Sequence, residues 1–347
     1  MLDDLKLIHE RDSKDALGIA EKQWQQFKYD FKVQAQFSQP IHDVVLAGMG
    51  GSGLAAKVFK NWPGLEVPIS FVQDYNLPEH VSKHTLLICI SYSGNTEETL
   101  SVFQQAIDDN TSSEKRPQLA IISSGGKLLE AAQTQNIAHI QLPSGYQPRM
   151  TTGYQLRALI TILEHTTLLN GTITQLDAAA DWLQGKTKSW VPTVPTSQNV
   201  AKQIARECIG KSVVIYSGPK FYPAAYKWKI SFNENAKHIA WANQYPELNH
   251  NEMLGWTKQP VDKPYTMIEL RSKLEHPRVQ KRFEVTERLL SGLRPAPIVV
   301  EAEGETLLEQ LLWTIALGDF VSLYTALLNG LDPAPVDLIE KFKKALG

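Results

Sequence analysis

Two kinds of periodicity alternate along this chain. Short apolar runs such as Val44-Val45-Leu46-Ala47, Leu86-Leu87-Ile88-Cys89-Ile90 and Val213-Val214-Ile215-Tyr216 are followed by stretches whose apolar residues recur at three- and four-residue steps. A run buried on both faces, then an amphipathic helix, is the repeat of a parallel sheet covered by helices. In the first half the pattern predicts strands over 42–47, 67–72, 85–90, 118–123 and 137–142. It predicts helices over 54–62, 96–107 and 127–134. A helical pattern over 13–32 precedes them, with Leu17, Ile19, Ala20, Trp24, Phe27 and Phe31 as a packing face, either on this chain or on another subunit.

The run Leu142-Pro143-Ser144-Gly145-Tyr146-Gln147-Pro148-Arg149 interrupts the pattern. Two prolines and a glycine there argue for a domain crossing, and so for units 1–147 and 148–347. Beyond it a helix resumes near Gly153. Helices over 197–209, 278–290 and 307–328 then alternate with strands over 213–216, 238–242, 265–270 and 297–301. The expected fold is α/β, two flavodoxin-like α/β/α sandwiches with parallel sheets, the second half rebuilding the first.

A length of 347 residues suits two domains. The net charge of −2 gives no basic excess, so nothing points to nucleic acid or an anionic membrane surface. Two cysteines, Cys89 and Cys208, lie in apolar or helical runs and read as buried small hydrophobes rather than a disulfide. No zinc spacing occurs. The N-terminus lacks a signal-peptide core, and no apolar run is read as long enough to span a membrane, so a cytoplasmic, soluble protein is expected.

Candidate chemistry begins where two strands empty into polar loops. The first is Gly48-Met49-Gly50-Gly51-Ser52-Gly53. The second is Ser91-Tyr92-Ser93-Gly94-Asn95-Thr96-Glu97-Glu98-Thr99. Unpaired N–H groups and the dipole of a helix start suit an anion, and two such loops can surround one phosphate. Ser52, Ser91, Ser93 and Thr96 are its candidate hydroxyl ligands. The same residues can serve only as helix caps, with Asn95 and Glu98 as a capping box. Gly48-x-Gly50-x-x-Gly53 also satisfies a dinucleotide fingerprint, with Asp74 as a loose ribose-binding acid. The hydroxyl-rich second loop fits a compact phosphomonoester better. The corresponding turn of the second half, Ser217-Gly218-Pro219, is poor in glycine and hydroxyl, so one phosphate site per chain is expected.

Four further features carry polar chemistry. Arg149 lies in the interdomain break. Glu234 ends a helix between Asn233 and Asn235. His250 sits in the loop Pro246-Glu247-Leu248-Asn249-His250-Asn251-Glu252 and is the strongest acid–base candidate by type. Lys343 and Lys344 end the last helix, where cations suit the dipole. Each also has a plain reading as a solvated linker, helix end or surface group.

Assembled, these residues resemble the bifunctional phosphoglucose/phosphomannose isomerase family of the sugar isomerase (SIS) superfamily, over nearly the whole chain. The two loops mark any SIS domain that binds a sugar phosphate. Pro148-Arg149, Asn233-Glu234-Asn235 and Asn249-His250-Asn251-Glu252 mark the isomerases. The resemblance implies that Gly51, Ser52, Ser91, Ser93 and Thr96 hold the phosphate of a hexose 6-phosphate. It implies Glu234 as the base moving a proton between C1 and C2, and Arg149 beside the enediolate. His250, donated across a homodimer interface, would assist ring opening with a C-terminal lysine. Lys343 matches that lysine best and Lys344 is the alternative; Phe342 stands where the family usually has leucine. No cofactor and no metal are implied. The competing readings are a regulatory SIS module that binds without turnover and an isomerase of an amino-sugar phosphate.

Overall fold

Both predicted parallel sheets form, and what differs from expectation is where the chain divides around them. The computed structural model describes residues 1–33, 37, 40–108, 112–258 and 264–346. It separates into an N-terminal unit, Gln23–Asp181, and a C-terminal unit, Met1–Lys22 with Trp182–Gly347. The chain enters through α1 (Leu5–Arg11) and α2 (Ala16–Glu21), both in the C-terminal unit, and α3 (Trp24–Phe27) opens the N-terminal one. The single helix expected over 13–32 is therefore broken. Leu17 and Ala20 are buried in one unit, Phe27 and Phe31 in the other.

In the N-terminal unit the chain runs β1 (Asp43–Ala47), α4 (Gly50–Asn61), β2 (Ile69–Val72), β3 (Thr85–Ile90), α5 (Glu97–Ile107), β4 (Gln118–Ser123), α6 (Gly126–Thr134) and β5 (Ala138–Gln141). It continues through α7 (Thr152–His165) into α8 (Thr172–Thr187). The sheet order is β2-β1-β3-β4-β5, and every pair is parallel. Period-two alternation sends Val45, Ala47, Leu87, Cys89 and Ile121 to a face packed with Val102, Phe103 and Ala106 of α5 and with Leu128 and Ala132 of α6. Burial pushes the Cys89 thiol up to about 12, so it behaves as a core hydrophobe. Fully burying a valine, leucine, isoleucine or phenylalanine of this face stabilises by about 1.5–3 kcal/mol.

Helices α7 and α8 explain why the boundary lies near 181 rather than at 147/148. Leu156, Leu159, Ile160, Ile162 and Leu163 of α7 are fully buried, and the helix packs on α3 and α4. At the crossing, Gln26 Nε2 donates to Met150 O at 2.8 Å, and a Cβ on Gly153 would meet Gln26 Cβ at 2.7 Å. The proline-rich break is thus a loop within one unit. α8 was not among the expected helices.

The C-terminal unit continues with α9 (Val200–Cys208), β6 (Ser212–Ser217), α10 (Tyr222–Asn235), β7 (Ala240–Gln244), α11 (Glu252–Gly255), β8 (Tyr265–Arg271), α12 (Pro277–Leu289), β9 (Ile298–Glu301), α13 (Leu307–Leu328) and α14 (Asp337–Leu346). Its parallel sheet has the order β7-β6-β8-β9. α13 is long and apolar enough to cross a membrane, contrary to the sequence reading, but 89% of its most apolar window is buried within the structure. It packs on α2, α9 and α10, which identifies it as the core helix of this unit. A capping box of Thr306 and Glu309 fixes its start. The N-terminal residues are tied in by Arg11 Nη1, which donates to Leu327 O at 2.5 Å, and by Lys202 Nζ, which lies 3.1 Å from Asp3 Oδ1.

Candidate active site

In the N-terminal unit β1 lies between β2 and β3, so the strand order reverses beside it. Ligands of open α/β sheets bind beyond the carboxyl ends of strands at such a reversal. Both polar loops leave those ends. α4 begins at Gly50 rather than at residue 54, which makes Gly50, Gly51 and Ser52 its first turn. Their N–H groups precede the first bond of the helix, from Gly53 N to Met49 O at 3.0 Å.

The second loop is folded around its own hydroxyls. Ser91 Oγ lies 2.8 Å from Thr96 Oγ1 and accepts from Gly94 N at 3.1 Å. Gly94 has a φ of 67°, and a side chain there would run into the Gly125 backbone. Ser93 Oγ accepts from Asn95 N at 3.3 Å. The capping box does not form. Thr96 is the N-cap of α5 without a side-chain cap bond, and Asn95 Oδ1 accepts from Lys127 N at 3.1 Å. The loops are joined directly, Tyr92 N donating to Ser52 Oγ at 3.1 Å.

Ser52 and Ser91 are 6% and 1% exposed, Thr96 is half-buried and Ser93 stands on the rim. Arg149 belongs to the same assembly. A Cβ on Gly51 would come within 3.0 Å of Arg149 N, so the first turn of α4 abuts the turn Pro148–Met150. The arginine is only 1% exposed, and its Nη1 donates to Gln147 Oε1 at 3.4 Å. Tyr92 fastens the segment leading to it, donating to Pro143 O at 2.8 Å and accepting from Tyr146 N at 3.0 Å. Helix-start N–H groups with the Ser52 and Ser91 hydroxyls beside them suit an anion, and the backbone of Arg149 abuts that turn.

The remaining candidates lie in the C-terminal unit. Glu234 is half-buried in the last turn of α10. Its neighbours are pinned: Asn233 Nδ2 donates to His238 O and Asn235 Nδ2 to Ser322 Oγ, both at 2.9 Å. α10 is further locked to α13 by Trp228 Nε1, which donates to Thr314 O at 2.7 Å, and by the buried ion pair of Lys227 and Asp319. Burial, and then the charge of Glu234, raise the Tyr226 hydroxyl above its ordinary range. His250 ends the turn Glu247–His250 with its ring exposed. Lys343 and Lys344 lie on α14, which buries no side chain, and Lys343 Nζ pairs with Glu340 Oε1 at 2.9 Å.

The turn after β6 corresponds by strand order to the glycine-rich turn after β1. Here the chain supplies its own anion. Glu275, 4% exposed, accepts through Oε1 from Lys220 N at 2.9 Å and Phe221 N at 3.3 Å. Burial raises its carboxyl above the usual range despite these donors.

A family profile described as the bacterial phospho-glucose isomerase C-terminal SIS domain matches residues 197–346. A bifunctional phosphoglucose/phosphomannose isomerase of Aquifex aeolicus is 32% identical over 322 residues, covering 92% of this chain and 95% of that one. The chain belongs to the bifunctional phosphoglucose/phosphomannose isomerase family. A member from Thermoplasma volcanium is 35% identical over 305 residues, covering 87% and 91% of the two chains. Among solved structures, a glucose-6-phosphate isomerase like protein from Thermus thermophilus shares the fold, with a TM-score of 0.68 and 17% identity over 99% and 98% of the chains.

Within this isomerase family member, the matched profile contains Asn233-Glu234-Asn235, Asn249 to Glu252 and Lys343, while the two polar loops and Arg149 lie outside it. Sequence reasoning missed Glu275, which looks like any surface acid until the loop after β8 is placed beside the turn after β6. It also gave no role to Tyr216 and Asn243, which converge on Glu252.

Proposed function

We propose that this chain interconverts glucose 6-phosphate and mannose 6-phosphate with fructose 6-phosphate. The observation that carries the reading is the meeting, in a member of this family, of the first turn of α4 with the hydroxyl-rich loop after β3, through Ser52 and Tyr92, and with the backbone of Arg149. Gly51, Ser52, Ser91, Ser93 and Thr96 hold the phosphate, whose binding energy fixes the distant reacting carbons. His250, supplied by the second subunit of a homodimer, and Lys343 open the pyranose by moving a proton from the anomeric hydroxyl to the ring oxygen. Glu234 then takes the C2 proton of the open aldose as the C1 carbonyl oxygen gains charge; the hydroxyl proton of O2 passes to O1, and Glu234 returns its proton to C1 as the C2 carbonyl forms. Arg149 stabilises the enediolate between these steps. Reprotonation of C2 from either face yields either epimer. Only protons move, so the scheme assigns neither cofactor nor metal. The setting is cytoplasmic, with no nucleic acid or membrane partner.

The test is turnover of fructose 6-phosphate followed by a coupled glucose 6-phosphate dehydrogenase, with mannose 6-phosphate run in parallel, both with and without EDTA. Turnover of both, unaffected by EDTA, is expected. Binding without turnover of either sugar refutes the reading in favour of a regulatory module.

A further inference from the structure

The residues on both sides of His250 are fastened, and the stronger fastening involves a carboxylate with no role so far. Glu252 Oε1 accepts from the Tyr216 hydroxyl and Glu252 Oε2 from Asn243 Nδ2. Tyr216 and Asn243 are register partners on β6 and β7, so the two donors come from adjacent strands. Tyr216 is 1% exposed, and its oxygen in turn accepts from Trp256 Nε1 at 3.0 Å. Asn243 cannot flip its amide freely, because its Oδ1 accepts from Gln244 N at 2.8 Å. Glu252 N also closes on Asn251 Oδ1 at 2.5 Å, while Asn251 Nδ2 donates to Glu247 Oε1 at 2.7 Å. On the other side Asn249 donates to Thr286 Oγ1 at 2.8 Å and accepts from Arg282 Nη1 at 3.1 Å, both on α12. His250 is thus an exposed residue of a turn anchored to a helix before it and to the sheet after it.

We infer that Glu252 is the positioning residue for His250: its carboxylate, gripped by Tyr216 and Asn243, holds the turn so that the imidazole is presented at a fixed point. A turn with one anchor would swing, and an acid–base group displaced by about 1 Å can lose about 100-fold in rate. This inference rests on the reading that His250 acts in ring opening. Gln in place of Glu252 keeps the size but removes the charge from both hydrogen bonds and turns one acceptor oxygen into an N–H donor facing either the Tyr216 hydroxyl or the Asn243 amide. It loosens the grip without emptying the space.

The experiment compares Glu252→Gln, His250→Ala and the double variant. Expected in Glu252→Gln is a kcat on glucose 6-phosphate lower by roughly 10- to 100-fold. Inhibition by gluconate 6-phosphate, an open-chain acid with no ring to open, should stay within about three-fold of wild type. The double variant should be no slower than His250→Ala alone, because the positioning residue has nothing left to position. Should Glu252→Gln fail to fold, Tyr216→Phe deletes one donor and keeps the ring in the core, and the same comparison applies. Wild-type turnover in Glu252→Gln beside a slow His250→Ala overturns the inference and spares the function. Losses that multiply in the double variant, or a parallel loss of gluconate 6-phosphate inhibition, also overturn it. Wild-type turnover in His250→Ala overturns the ring-opening role itself, and the inference with it.

Discussion

The contact between Gly51 and the Pro148–Arg149 backbone permits a quantitative test. A methyl group added at Gly51 would lie 3.0 Å from Arg149 N and 3.1 Å from both Arg149 Cα and Pro148 C. Comfortable carbon contacts lie near 3.5–4.0 Å, so the two segments must separate by roughly 0.5 Å. All three atoms are backbone, so no side chain can rotate to absorb the strain. Overpacking of this kind costs about 1–3 kcal/mol. The displacement falls on two groups placed in the site, the first-turn N–H of α4 and Arg149. Since about 1 Å of misplacement costs about 100-fold, half that distance should cost about 10-fold. Gly51→Ala should therefore lower kcat/KM for fructose 6-phosphate about 10-fold and weaken competitive inhibition by inorganic phosphate. Gly185→Ala is the control. It is exposed in α8 and has nothing within 4 Å of the added methyl, so it should gain about 0.5–1 kcal/mol and leave kinetics alone. A Gly51→Ala enzyme within two-fold of wild type in both kcat/KM and phosphate inhibition would refute the assignment of this junction to the site.

Three further outcomes are expected. Glu234→Gln should lower kcat by orders of magnitude with little change in KM, as loss of a transition-state interaction requires, and steady-state kinetics check it. Asp319→Ala leaves the fully buried Lys227, among the described residues, with only the Ser231 hydroxyl, so denaturant unfolding should show a loss of about 3–5 kcal/mol; a loss under about 1 kcal/mol contradicts the buried pair. Glu275 has a folded-state pKa raised above 4.5, so its ionised form costs stability at neutral pH, and the cost disappears as pH falls through that raised value towards 4.5. Glu275→Gln keeps an acceptor and removes the charge, so its stability relative to wild type should be highest at neutral pH and above and decline on acidification; the opposite trend in urea melts refutes the argument.

What could be read from the sequence follows the range of the forces involved. β3 and β4 appear where their unbroken apolar runs predict, since burial on both faces leaves no alternative pattern. α8 was overlooked because Leu176, Ala179, Ala180 and Leu183, its buried apolar residues, are set among Thr, Gln, Asp and a further Ala. The division of the chain was misplaced because the apolar stripe of α7 shows that it is buried but not against which sheet. The two polar loops after β1 and β3 were legible because hydroxyls at a helix start act on N–H groups a few residues away. Arg149 was placed by its surrounding break, yet its burial against Gly51 depends on a meeting of residues about a hundred positions apart. Tyr216, Asn243 and Glu252 meet only because β6 and β7 are adjacent, and their spacing along the chain carries no sign of it.

The carboxylate of Glu275 has a further consequence for how ligands count this protein. An anion attached to its own receptor competes at an effective concentration in the millimolar range or above, and it never diffuses away. Free phosphate esters at lower concentration therefore find the turn after β6 already taken. Of the two strand-end turns that this architecture repeats, the one after β1 is the one left open to a free anion.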